Sequence, residues 1–214
     1  MYLPKHFAEP RVGVMHDLIR AQPFATLVTH SSGGVTANHI PLLISEDPQP
    51  LGTLQGHVAR ANPLWKDVSA GGEVLAVFHG PHRYISPSWY ATKKETGKVV
   101  PTWNYVVVHA YGTLRTVEDR TWLRALVERL TLQNESGNPE AWKVSDAPDH
   151  YVTKMLDAIV GVEIAITRLE GKWKVSQNQP AANRASVVEA LQRSRGPDDA
   201  LMAALIADAA KNVS

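Results

Sequence analysis

The sequence predicts an α+β fold centred on a closed antiparallel barrel, and three observations carry the prediction. About six or seven segments read as strands, by alternation of apolar and polar residues or by β-branched runs such as "YVVV". Few helical segments fall between them, so the pattern lacks the repeated crossovers of a parallel sheet. The glycine-rich "SSGG" at 31–34 joins two of the strands as a hairpin, the connection that antiparallel sheets use.

Taken in order, residues 13–21 predict a short helix with Val14, Leu18 and Ile19 on one side. "PFATLVTH" alternates as a strand, and "VTANHIPLLIS" returns beside it, giving a hairpin over 24–44. "EDPQPLG" is a loop and "LGTLQGHV" a third strand. Asn62 is a good N-cap with Pro63 at the first helical position, so a short helix is expected to about Ala70, stopped by Gly71-Gly72. "EVLAVFHG" predicts a fourth strand and "HRYISPSWY" a fifth, ended by Pro87. The basic stretch 91–100 reads as a mobile surface loop. A long strand then runs from Trp103 to Thr116, with Gly112 at a bulge or bend.

"TVEDRTWLRALVERLT" is the clearest helix, with Thr116 and Asp119 as a capping box and Trp122, Leu123, Leu126, Val127 and Leu130 as its apolar face. "DAPDHYVTKMLDAIVG" predicts another, ending at Gly161. "VEIAITRLEGKWKVSQN" reads as a strand pair or one long strand bent around Gly171. The tail from Pro180 is helical and broken at Gly196-Pro197. The expected organisation is one domain over 1–180 and a helical appendage over 181–214 packed on it.

Composition narrows the function classes. The chain is 44% hydrophobic and 20% charged, enough apolar residue to bury a core. It has no cysteine, which excludes disulfides, thiolate metal sites and cysteine nucleophiles. A net charge of +1 gives little pull toward nucleic acid. No apolar signal region or run of about 18 residues occurs, so a soluble cytoplasmic protein with no membrane association is expected. Dinucleotide, Walker, Gly-x-Ser-x-Gly and His-Glu-x-x-His motifs are absent, leaving nucleophilic and zinc hydrolase chemistry without support.

Four stretches carry ligand chemistry. In "GHVARANP", Arg60 and His57 stand beside a helix start at Asn62, an arrangement that suits a phosphate and equally a solvent-facing arginine beside an ordinary cap. "HGPHRYISPSWY" gathers His79, His82, Ser86, Ser88 and Trp89; off a helix, the His-x-x-His spacing does not bring both rings to one metal ion. In "LEGKWKVSQN", Lys172 and Lys174 share a strand face opposite Trp173, with Gln177 and Asn178 beyond; a pair of lysines covering apolar surface is the plainer reading. Thr102, Trp103 and Asn104, at the entrance of the long strand, finish a core or hold a ligand.

These segments, with "MYLPKHF", "NHIPLL", "GPHRYISPSWY", "GKVVPTWNY" and "VHAYGTLR", closely resemble the PaiB family of FMN-binding negative transcriptional regulators, nearly end to end. The resemblance implies a split β-barrel like those of pyridoxamine-phosphate oxidases and flavin reductases, with FMN at a homodimer interface. It implies cofactor contacts from His39, His57, Arg60, Asn62, Ser86, Trp89, Trp103, Asn104, Lys172 and Gln177. Only one of Trp103 and Asn104 need touch the flavin, because successive strand residues face opposite ways. The first function expected is flavin binding, with or without oxidoreductase turnover. Haem binding or degradation is an alternative that the nine histidines permit. Direct DNA binding is a third, against which stand the near-neutral charge and the lack of a helix-turn-helix pattern. No catalytic residue is assigned, since flavin chemistry belongs to the cofactor.

Overall fold

A computed structural model describes residues 1–31, 33–48, 50–67 and 72–211. In chain order the elements are β1 (Ala8–Glu9), α1 (Val12–Ala21), β2 (Phe24–Ser31), β3 (Gly34–Pro41), β4 (Leu43–Ser45), β5 (Thr53–Ala59), α2 (Leu64–Asp67) and β6 (Glu73–Ile85). Then come α3 (Lys93–Thr96), β7 (Thr102–Val117), α4 (Arg120–Glu135), α5 (Asp149–Asp157), β8 (Ile159–Lys174), α6 (Ala181–Arg193) and α7 (Asp199–Lys211). The class is α+β, as expected. The strands are hydrogen-bonded in the order β3-β2-β6-β7-β8-β5-β4, with β1 added to β8. Among the described residues this path does not close, so the closed barrel is corrected to an open antiparallel sheet.

The opening begins where the predicted return strand breaks. Residues 34–41 pair with β2 in register, Thr26 opposite His39 and Phe24 opposite Pro41. Pro41 has no N–H to donate, and the Leu42 N–H turns to the Pro23 carbonyl at 2.9 Å. The chain then crosses to β5, where Leu43 pairs with Gln55. A Cβ on Gly56 would lie 2.7 Å from the Pro41 carbonyl oxygen, so this crossing needs the glycine.

The chain forms two compact units that share β6, β7 and β8. The first comprises Met1–Met15, His79–Val108 and the residues from Glu170 on. Val187, Leu191, Met202 and Ile206 of α6 and α7 are fully buried in it. Asp199, at the start of α7, is 1% exposed. It accepts from the Gly196 N–H at 2.7 Å and lies 2.7 Å from Arg83 Nε. β1 pairs with the end of β8 at Glu9 and Gly171; a Cβ at Gly171 would meet the Glu9 carbonyl at 2.9 Å.

The second unit comprises His16–Phe78 and His109–Leu169. β5 pairs antiparallel with β8 from Thr53 opposite Ala165 to Ala59 opposite Ile159. α4 buries Leu126 and Leu130 with Leu43, and Leu123 with Val144, Val152 and Leu156. Gly112 marks close strand contact: a Cβ there would sit 2.3 Å from the Ala165 carbonyl oxygen.

Other boundaries moved for local reasons. The fourth and fifth predicted strands are one 13-residue strand running through Gly80-Pro81, a pair that reads as a break in sequence. Residues 159–174 form one long strand. Helix α5 ends at Asp157, and Gly161 lies inside β8, where a Cβ would strike the Trp122 ring at 2.4 Å. Asp119 alone caps α4, accepting from the Trp122 N–H at 2.7 Å, while Thr116 belongs to β7. Asn62 caps α2 through the Leu64 N–H at 2.9 Å. The end predicted for that helix, at Ala70–Gly71, lies outside the described residues. Stretch 91–100 contains the single turn α3, closed by Gly97 at φ +65°.

Candidate flavin-binding site

In the first unit the entrance of β7 separates its polar residues by strand alternation. Trp103 faces outward and is 54% exposed, while Asn104 faces the interior at 1%. The Trp103 ring has the His82 imidazole at 6.2 Å and the Tyr84 ring edge-on at 6.0 Å. This is an open aromatic surface, a feature able to take a flat ring. Asn104 Nδ2 donates to Ser176 Oγ at 2.8 Å, and its Oδ1 is buried without a hydrogen-bond partner. Ser176 holds φ +65° in the turn after β8.

The other predicted residues of this unit differ in availability. Lys172 is 6% exposed; its Nζ donates to the Tyr2 carbonyl at 2.9 Å and lies 5.5 and 5.2 Å from the Tyr2 and Tyr105 rings. Gln177 is turned onto its own chain, donating to the Trp173 carbonyl and accepting from the Val175 N–H. Lys172 ties β8 to the N-terminal segment at Tyr2, and Gln177 holds the turn after β8. Lys174, which also lies on this strand, donates to Thr102 Oγ1 at 2.6 Å. Ser86 caps the 3-10 turn Pro87–Trp89 by accepting from the Ser88 N–H at 3.2 Å. Trp89 is half-buried at the end of that turn.

In the second unit Arg60 is heavily engaged. Its Nε donates to the Asp157 carbonyl at 2.8 Å, one terminal nitrogen to Glu118 at 2.7 Å and the other to the Ile159 carbonyl at 3.2 Å. Its own carbonyl accepts from the Trp65 indole at 2.9 Å. A guanidinium has five N–H groups, so this arginine is first a tie between β5 and the α5–β8 junction. His57, half-buried on β5, has its pKa pushed below the ordinary histidine value by burial. Asn62 Nδ2 donates to Asn38 Oδ1 at 2.8 Å. His39 is exposed, its Nδ1 3.3 Å from Thr26 Oγ1 and its ring 6.2 Å from that of Phe24.

Sequence reasoning missed Ser176, Tyr84 and Asn183. Tyr84 shares a β6 face with His82, an i, i+2 relation that a strand running on through Pro81 would have exposed. Nothing local marks Ser176 or Asn183, whose roles rest on partners more than seventy residues away.

A family model described as "Putative FMN-binding domain" matches residues 1–168. Protease synthase and sporulation protein PAI 2 of Bacillus subtilis is 33% identical over 220 residues, covering 99% of each chain. An uncharacterized protein of Emericella nidulans is 34% identical over 227 residues, covering 90% of each. Among solved structures, an FAD and heme binding protein from Mycobacterium smegmatis has a TM-score of 0.59 at 15% identity, over 78% of this chain and 73% of that one. The flavocytochrome Anf3 from Azotobacter vinelandii also scores 0.59, at 14% identity, over 78% and 69%. Such low identities show the fold alone, an α+β split barrel of the kind found in flavin-binding proteins. Among the described residues no helix is long and apolar enough to cross a membrane. The family match over most of the chain and the end-to-end relationship to PAI 2 place this chain in the PaiB family of FMN-binding-domain proteins.

Proposed function

We propose that this chain binds FMN and acts through that flavin. The observation that carries the reading is the family match over residues 1–168. The residues present fit the group's ring: Trp103 offers an exposed ring face for the flat isoalloxazine, while Asn104 lies on the opposite, buried face of the strand. Trp103 would hold the ring, and Asn104 would keep its strand in register through Ser176. When bound, FMN would supply reversible electron transfer, with no fixed catalytic triad needed from the chain.

The family's regulator role is proposed to follow from flavin binding rather than from strong direct DNA contact, given the net charge of +1. A cytoplasmic homodimer joined through the Trp103 face is proposed with it, because aromatic residues concentrate at interfaces. The test is the absorption spectrum of the purified protein, followed by titration with FMN, FAD and haem. A flavin band and tightest binding of FMN are expected, with Trp103→Ala weakening it at least tenfold. A Soret band and indifference to FMN would replace this reading with haem binding, which the name of the Mycobacterium smegmatis protein states beside FAD. Sedimentation equilibrium checks the dimer, and a monomer with undiminished FMN affinity would reject it.

A further inference from the structure

Within the first unit, residues 86–97 build a second feature; it contains Ser86 and Trp89, two of the expected flavin contacts, but not the Trp103 face on which the proposed flavin site rests. Ser88, Trp89, Tyr90, Ala91, Lys93 and Lys94 line a cleft of about 470 Å³. Its frame is fixed from both ends. Ser86 caps the turn that carries Ser88 and Trp89. Asn183 of α6, 3% exposed, accepts from the Thr92 N–H and hydroxyl, each at 3.1 Å, and Ser186 Oγ accepts from the Ala91 N–H at 3.2 Å.

The cleft holds two lysines and two hydroxyls and no carboxylate. Lys93 Nζ donates to Ser88 Oγ at 3.2 Å, which leaves two ammonium N–H groups and the serine O–H for another acceptor. No carboxylate lines the cleft, and neither Lys93 nor Lys94 forms an ion pair with a described residue. Tyr90 adds a buried hydroxyl with no hydrogen-bond partner. Trp89 is half-buried and lines the same cleft. Two lysines lining one cleft suit a dianion better than a monoanion, and the indole suits an aromatic body.

We propose that this cleft is a binding site for an aromatic phosphate monoester, separate from the Trp103 face proposed for the flavin. The experiment follows the Trp89 indole N–H by NMR in the full chain, assigned through Trp89→Phe, while phenyl phosphate, inorganic phosphate, benzoate or benzyl alcohol is added. It is run with and without FMN. Phenyl phosphate should shift the Trp89 signal saturably and bind at least fivefold tighter than the other three. Lys93→Gln/Lys94→Gln should weaken phenyl phosphate at least tenfold, and Lys93→Arg/Lys94→Arg should retain most of the affinity. Unchanged amide spectra check that both variants fold. Failure of phenyl phosphate to shift Trp89, equal binding to the glutamine variant, or equal binding of benzyl alcohol would overturn the proposal. Loss of the signal change on saturation with FMN would overturn the separateness of the site. FMN binding itself is read from its own absorption, so failure of the flavin reading is distinguishable from failure of this one.

Discussion

Arg60 and the Lys93–Lys94 pair are both basic features beside a turn, and in sequence Arg60 is the better phosphate candidate. The fold reverses that order. Arg60 has each of its three nitrogens bonded within its own unit, two to main-chain carbonyls and one to Glu118. Lys93 donates to a neutral hydroxyl, and Lys94 lines the same cleft. The lesson is that residue type gives donor capacity, whereas ligand chemistry depends on the capacity left after folding. An arginine near a helix start can be structural cement, and a lysine pair in a polar loop can be the freer cation.

The largest expected effect lies at the support of the lysine cleft. Asn183→Ala removes a buried side chain and leaves the Thr92 N–H without its acceptor, which should destabilise the protein by about 2–3 kcal/mol. Urea denaturation measures this, and hydrogen exchange at Thr92 should quicken. A neutral result would mean that the cleft frame is held elsewhere.

Arg60→Ala should come next, at about 1–2 kcal/mol, because two main-chain carbonyls lose their donor while the exposed Glu118 pair adds little. FMN and riboflavin should then lose affinity equally if Arg60 acts through the fold. A loss confined to FMN would restore its phosphate role, with His57 and Asn62 beside it. Lys93→Gln, by contrast, should change stability by no more than about 0.5 kcal/mol, as expected for an exposed side chain whose hydrogen bond is to the exposed Ser88 hydroxyl.

The smallest effect is set by pH. Burial holds the His57 pKa in the folded state below the unfolded value. Above the ordinary value of 6.5 both states are neutral there and nothing is lost. As pH falls through 6.5 toward the folded value, the unfolded chain takes the proton first, so stability declines. His57→Gln should flatten that part of the profile. Urea midpoints of the two proteins between pH 8 and 5 test it, and parallel profiles would remove His57 as the cause.

How much of this was readable beforehand depends on the range of the interaction involved. The β2–β3 hairpin, the α4 face of Leu123, Leu126 and Leu130, and the break between α6 and α7 follow from periodicity and turn residues within a few positions. The resemblance to the PaiB family was likewise in the residues, and it identified the flavin-binding-domain class. Strand alternation required Trp103 and Asn104 to face opposite ways, but not which way each faced.

Tertiary structure decided the facing, because only packing places Asn104 against Ser176 and leaves Trp103 outside. It turned Gly112 and Gly161 from presumed bend and helix end into points of close contact, at the Ala165 carbonyl and the Trp122 ring. It opened the expected barrel at Pro41–Leu42, where the chain leaves β2 for β5. It also engaged Arg60 and buried Lys172 through partners about one hundred residues or more away. Local sequence fixes which conformations and bonds a residue can adopt. Long-range packing alone selects the partners, and with them the groups that remain available to a ligand.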